Sequence, residues 1–131
     1  MIKFFSNYKI IFYIINSLLI IIYLFPGSLP GLFIYGDKNI QPQITPDFII
    51  SSNHFYVFIL ISVIGFLTYT KSNQIKVLIS YLILLSLALE IFHLIIPSRS
   101  FQWSDLFGNL SGVIVVIFIK KLINKYEVFK K

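Results

Sequence analysis

Four long apolar runs divide this sequence and limit the folds that it can adopt. Each is close to the length of a membrane-spanning helix and is stopped by proline or lysine: Ile10–Phe25, Phe55–Thr70, Val77–Ile96 and Trp103–Ile119. The chain is 57% hydrophobic and 12% charged, and no amphipathic segment remains to cover such helices with a polar layer. The sequence therefore predicts an all-α, polytopic membrane protein, a bundle of four transmembrane helices.

The four helices are expected at residues 8–25, 54–70, 76–96 and 103–123, within a single domain that covers 1–131. Residues 26–53 hold four of the five prolines and form the long connection, with a short interfacial piece around Leu32–Tyr35. Ser51, Ser52 and Asn53 are expected to cap the second helix. Tyrosines near the run ends, including Tyr23, fit an aromatic belt. A cleaved signal peptide is an alternative for the first run, but no small-x-small site follows it.

The basic residues predict the orientation. Nine of the eleven Lys and Arg residues fall at the two termini and in the turn between the second and third helices, whereas Lys38 and Arg99 fall on the opposite side. Positive charges stay cytoplasmic, so both termini are expected inside and the 26–53 loop outside. The net charge of +6 then reflects orientation, and no nucleic-acid partner is expected. We expect a bacterial plasma membrane, with the lipid bilayer itself as a partner.

Six polar residues that lie within or beside the apolar runs are predicted to share one layer near the outer membrane surface. They come from three predicted helices and one turn: His54, Glu90, His93, Arg99, Asp105 and Asn109. Ionisable groups at membrane depth cost about 2.5 kcal/mol or more on insertion scales, so a chain that carries them usually uses them. We therefore predict that this set forms a binding site.

Spacing refines this prediction. Glu90 and His93 are three residues apart and share a helix face, as do Asp105 and Asn109, which are four apart. Arg99 is expected to pair with Glu90 or Asp105. Simpler roles stay open: a headgroup contact for Arg99, a first-turn acid for Asp105, an interfacial His54 and a packing His93. Gly108 and Gly112 form a Gly-x-x-x-Gly pair that permits close helix packing.

A metal site is the less favoured interpretation. Glu90-x-x-His93 is half of a carboxylate-bridged dimetal motif, with Asp105 and His54 as further candidate ligands. The full pattern needs two such motifs, and the chain has one. The sequence also lacks cysteine, which excludes thiolate ligands. No metal and no cofactor are therefore predicted.

These residues resemble the VanZ-like family of membrane proteins. The matching features are His54-Phe55 at the start of a helix, Glu90, Arg99-Ser100 after Pro97, and Asp105-Leu106 followed by Asn109 and Gly112. They cover about half of the chain, and the family commonly has Gln where this chain has His93. The founder of the family is associated with teicoplanin resistance. The resemblance implies a cell-envelope membrane protein and possible involvement in antibiotic resistance, with no assigned activity.

Three functions follow from the sequence. The first is binding of a headgroup or a lipid-linked envelope precursor, with Arg99 on phosphate and the carboxylates of Glu90 and Asp105 orienting it. The second is a membrane-embedded enzyme acting on a lipid-linked glycan or peptide, with those carboxylates as bases and His54 or His93 as acid. The third is a small scaffold that assembles as a homo-oligomer, or a proton path. Whether the chain is an enzyme is left open.

Overall fold

The computed structural model describes residues 2–129, and the side chains of residues 8–127. Every regular element among the described residues is an α-helix, and none of these residues forms a strand. Its five helices are α1 (Ile2–Leu24), α2 (Leu29–Tyr35), α3 (Ser52–Thr68), α4 (Ser72–Phe92) and α5 (Trp103–Phe129). The all-α prediction is confirmed. The side chains of Lys3, Lys130 and Lys131, which enter the charge count, lie outside the described residues.

Helix boundaries differ from the predicted ones in specific places. The predicted third helix reaches residue 96, but α4 ends at Phe92, and His93 is its C-cap residue. Residues 93–95 continue as tight turns, so apolar residues after the helix end do not lengthen it. The predicted fourth helix stops at 123, whereas α5 extends to Phe129. The connection 26–53 contains α2, which begins three residues before the predicted interfacial piece.

Helix length and composition indicate membrane association. α4, and residues Trp103–Glu127 of α5, are each long and apolar enough to cross a membrane. Tyr8–Leu24 and α2 qualify together as a third span if the 86° bend between them is counted as part of one span. α3 is apolar but has 17 residues, about 26 Å of helix against a hydrocarbon core of about 30 Å.

The four long helices pack side by side with defined directions. Thr68 Oγ1 at the end of α3 lies 3.2 Å from Tyr8 O, and Tyr23 near the end of α1 contacts His54 at the start of α3, so α1 and α3 are antiparallel. α3 and α5 run parallel and make the most extensive contact in the fold. Gly108 and Gly112 lie at this contact: a Cβ atom on Gly112 would be 2.6 Å from Phe55 O. The predicted packing role of both glycines is therefore explained within one chain.

Large apolar side chains are exposed along every long helix, for example Leu18, Leu84 and Phe118. The interior is mainly apolar but also encloses polar side chains, among them Ser62 in α3 and Ser86 in α4. In a water-soluble fold, polar side chains lie mostly on the surface. This distribution suits a surface that faces lipid and an interior that holds hydrogen-bonding groups.

The start of α3 is capped differently from the prediction. Ser51 occupies the N-cap position but its side chain makes no capping hydrogen bond. Instead, Ser52 N donates to Asp47 Oδ1 at 2.7 Å. The side-chain amide of Asn53 is hydrogen-bonded to the preceding loop. Its Oδ1 accepts from Ile44 N, and its Nδ2 donates to Pro42 O. The loop before α3 is therefore fastened to the first turn of that helix, where the polar residues begin.

Candidate functional site

Polar residues from α3, α4 and α5 meet at one end of the fold, where α1 and α4 end and α3 and α5 begin. His54 Nε2 lies 3.5 Å from Asp105 Oδ2, and both side chains are partly buried. Glu90 is fully buried beside them. One potential ligand atom from each of His54, Glu90 and Asp105 lies within 4.8 Å of the others. The structure therefore brings together groups that the sequence placed on three separate helices.

Asn109 connects this group to α1 and α4. Its Oδ1 accepts from the Tyr23 hydroxyl at 2.9 Å and lies 3.0 Å from His54 Nδ1. Its Nδ2 donates to Ser86 O at 3.3 Å. Asn109 is fully buried, so these partners replace the water that an amide would otherwise bind. One amide thus holds four helices in register at the site.

Glu90 and His93 form a second buried pair. Glu90 Oε1 accepts from Gln102 N at 2.8 Å, and Oε2 lies 3.2 Å from His93 Nδ1. His93 Nε2 donates to the carbonyl oxygen of Tyr23 at 3.0 Å. The His93 ring also stacks on the Tyr23 ring, with 6.0 Å between centroids. His93 therefore packs against α1 and contacts Glu90, as the shared helix face predicted.

Arg99 does not make the predicted ion pair. Within the described residues it forms no salt bridge with Glu90 or Asp105. Its Nε and Nη2 donate to Phe25 O and Ile22 O, each at 3.2 Å. These carbonyls lie at the C-terminal end of α1, where free carbonyl groups and the helix dipole attract a cation. The predicted ion pair with Glu90 or Asp105 was wrong. Free backbone carbonyls cannot be located from the charged residues of a sequence, so these partners were not considered.

The charge of Arg99 is maintained at this position. Burial lowers the pKa of Arg99, and the nearby carboxyl of Asp105 opposes that shift, with smaller contributions from Tyr23 and Glu90. The ordinary pKa of a guanidinium is so high that the group stays protonated in proteins. It has five N–H donors, of which two are used on the α1 carbonyls. Arg99 is therefore a fixed positive charge at the site.

A polar cavity of about 400 Å³ opens beside these residues. His54, His93, Arg99 and Asp105 line it, and the loop before α3 supplies further polar groups, among them Lys38. A second cleft of about 330 Å³ adjoins it and is lined mainly by apolar residues of α1, α2 and the loop. Arg99 and His54 line both. The cavity can accept an anion, and the cleft can accept an apolar group.

Three contributors to the site were not predicted. Tyr23 was assigned to an aromatic belt, but it is buried and contacts Asn109, His54 and His93. The backbone N–H of Gln102 and the capping carboxylate of Asp47 were also missed. Tyr23 lies at the end of an apolar run, as interfacial tyrosines do, so its position in the sequence does not show that it is buried in the site. The others act through local backbone geometry, which residue type does not reveal.

Comparison of the chain with models of known protein families, with curated proteins and with solved structures finds no match in any of the three.

Proposed function

We propose that this protein is a four-helix bundle of the bacterial plasma membrane, with both termini cytoplasmic, which binds an anionic lipid headgroup or a lipid-linked envelope precursor. In this arrangement α1 is the first span, and α2, bent from it by 86°, lies along the outer membrane surface. α3 completes another span with flanking residues such as Tyr69. The resemblance to VanZ-like proteins extends the proposal to the cell envelope and to glycopeptide resistance.

The observation that carries this proposal is the pairing of the polar cavity with the apolar cleft. A lipid-linked molecule has a charged headgroup joined to a hydrocarbon chain, so it needs two adjoining sites of opposite character. Arg99 lines both spaces and marks their boundary. Its position at the end of α1 corresponds to the depth at which phosphate groups lie if that helix spans the bilayer.

Arg99 is suited to contact the phosphate. A guanidinium offers paired N–H donors in a planar fork that matches two phosphate oxygens. Its bonds to Ile22 O and Phe25 O fix the side chain before a ligand arrives, which lowers the entropic cost of binding. Lys38, exposed on the cavity wall, adds a second positive charge. Asp105, which also lines the cavity, can accept hydrogen bonds from headgroup hydroxyls.

Binding to purified protein tests the proposal. The protein in nanodiscs of zwitterionic lipid is titrated with a polyprenyl phosphate and, separately, with phosphatidylglycerol. Charge-assisted hydrogen bonds contribute about 1.5–3 kcal/mol, so we expect Arg99→Ala to weaken binding by about tenfold or more. Lys76→Ala removes a positive charge near the start of α4, at the far end of the fold, and is the matched control.

Two outcomes contradict the proposal. One is unchanged affinity for both lipids in Arg99→Ala. The other is an equal loss in Lys76→Ala, which would indicate attraction by net charge rather than by the site. Because Arg99 also holds the end of α1, thermal unfolding of each variant is measured alongside. Arg99→Lys, which keeps the charge but lacks the planar fork, is expected to recover only part of the affinity.

An enzymatic role is the second candidate, favoured by the contact between His54 and Asp105. Both side chains line the polar cavity at 3.5 Å from one another, so a bound substrate would lie within reach of an acid–base pair. Turnover of a lipid-linked glycan by native protein, lost in Asp105→Asn while binding is retained, would support catalysis. Retention of that turnover in Asp105→Asn would exclude Asp105 from proton transfer.

A further inference from the structure

The arrangement of His54, Glu90 and Asp105 differs from the Glu-x-x-His motif in the sequence. The three residues belong to three helices, and their potential ligand atoms lie within 4.8 Å of one another. His93, the histidine of the motif, donates through Nε2 to Tyr23 O and is held against α1. The candidate ligand set is therefore one imidazole and two carboxylates, which no single-helix motif would reveal.

The hydrogen bonds of Asn109 determine which nitrogen of His54 carries hydrogen. Ser86 O is a carbonyl and accepts, so the group of Asn109 that faces it is the NH₂ group. Asn109 Oδ1 then faces His54 Nδ1 at 3.0 Å and must accept a hydrogen from it. In a neutral ring, Nε2 is left with its lone pair. A histidine that binds a metal through one ring nitrogen usually donates the N–H of the other nitrogen to an oxygen acceptor.

The free lone pair of His54 faces a carboxylate. Nε2 lies 3.5 Å from Asp105 Oδ2. Two acceptors this close repel one another unless a proton or a cation lies between them. Two carboxylates and one neutral imidazole carry a total charge of −2, which matches a divalent ion.

Glu90 supplies an independent observation. It is fully buried, and its Oε1 is fixed by Gln102 N at 2.8 Å. Its Oε2 is buried and makes no hydrogen bond among the described residues, and His93 Nδ1 lies 3.2 Å from it. A carboxylate oxygen buried in this way is costly unless it binds a cation.

We propose that His54, Glu90 and Asp105 bind one divalent metal ion. A mixed set of imidazole and carboxylate ligands suits Zn²⁺ or Mn²⁺ better than Ca²⁺ or Mg²⁺, which favour oxygen alone. With metal–ligand bonds of about 2.0–2.2 Å, tetrahedral ligand atoms are about 3.4 Å apart, so the most widely separated of the three atoms must approach by about 1 Å. His54 and Asp105 line the polar cavity, so the ion's remaining positions face that space and can take water or a ligand oxygen.

Metal titration tests this site without reference to any lipid. Chelator-treated protein without a polyhistidine tag is titrated with Zn²⁺ and, separately, Mn²⁺ by isothermal calorimetry. We expect one ion per chain, and at least about tenfold weaker binding in Glu90→Gln and Asp105→Asn. Gln at position 90 keeps an acceptor for Gln102 N. Glu127→Gln, an exposed position on α5, is the matched control.

A second measurement covers the case in which a variant does not fold. X-ray absorption of Zn²⁺ bound to native protein is expected to show one imidazole nitrogen and at least two oxygens. Failure to bind either ion, equal affinity in the Glu90 and Asp105 variants, or an all-oxygen shell overturns the proposal. Lipid binding is separable: we expect Arg99→Ala to keep its Zn²⁺ affinity, and a protein that binds lipid but no metal refutes this site alone.

Discussion

Replacement of Gly112 by alanine is the sharpest test of the helix packing that assembles the site. The added Cβ would lie 2.6 Å from Phe55 O and 2.9 Å from Phe58 Cβ, so α5 meets atoms that cannot rotate away. To reach ordinary contact, α5 must move from α3 by about 0.8 Å.

The expected energetic cost follows from two opposing effects. Overpacking of this kind costs about 1–3 kcal/mol, whereas alanine in place of glycine favours a helix by up to about 1 kcal/mol. We expect a net loss of about 1–2 kcal/mol, or roughly 3–8 °C in melting temperature for a chain of this size. Displacement of α5 also lengthens the contact between Asn109 and His54, so ligand binding should weaken too.

The assay is unfolding in detergent micelles, followed by far-UV circular dichroism against temperature and against added SDS. Gly65→Ala is the matched control, since the atoms nearest to a Cβ there belong to the side chains of Leu78 and Phe12, which can shift. It should cost less than Gly112→Ala. If Gly112→Ala is as stable as the native protein, α3 and α5 do not pack through this face, and the glycine pair would instead be free to contact a second chain.

Two further substitutions test the residues that the sequence did not reveal. Tyr23→Phe removes the hydroxyl bound to Asn109 and should cost about 0.5–1.5 kcal/mol in SDS unfolding; no loss would mean that Tyr23 only packs. Asp47→Ala removes the acceptor of Ser52 N at the start of α3 and should cost about 0.5–2 kcal/mol, whereas Asp47→Asn keeps an acceptor and should cost less; equal losses would contradict a capping role.

Much of the site could be predicted because helix geometry is regular. Spacings of three and four residues place Glu90 with His93, and Asp105 with Asn109, on shared faces. Alternation of direction between consecutive spans then brings those faces to one end. Neither step requires knowledge of side-chain packing, and the structure brings His54, Glu90 and Asp105 within 4.8 Å.

The remaining features depend on contacts that no local pattern encodes. Tyr23 and Asn109 are 86 residues apart, and they meet because α1 and α5 both pack against α3 and α4. Arg99 binds carbonyl oxygens, which every residue has, so its partners could not be identified from residue types. The end of α4 at Phe92 was missed because the turns that follow it are as apolar as the helix.

The reach of Asn109 across the fold has a consequence for biosynthesis. Tyr23 lies in α1 and is synthesised before α5, which carries the amide that accepts a hydrogen bond from its hydroxyl. In the proposed membrane arrangement, that hydroxyl has no partner in hydrocarbon until α5 packs, which is costly in a medium without water. Chains truncated before α5 should consequently lack this contact and remain incompletely assembled.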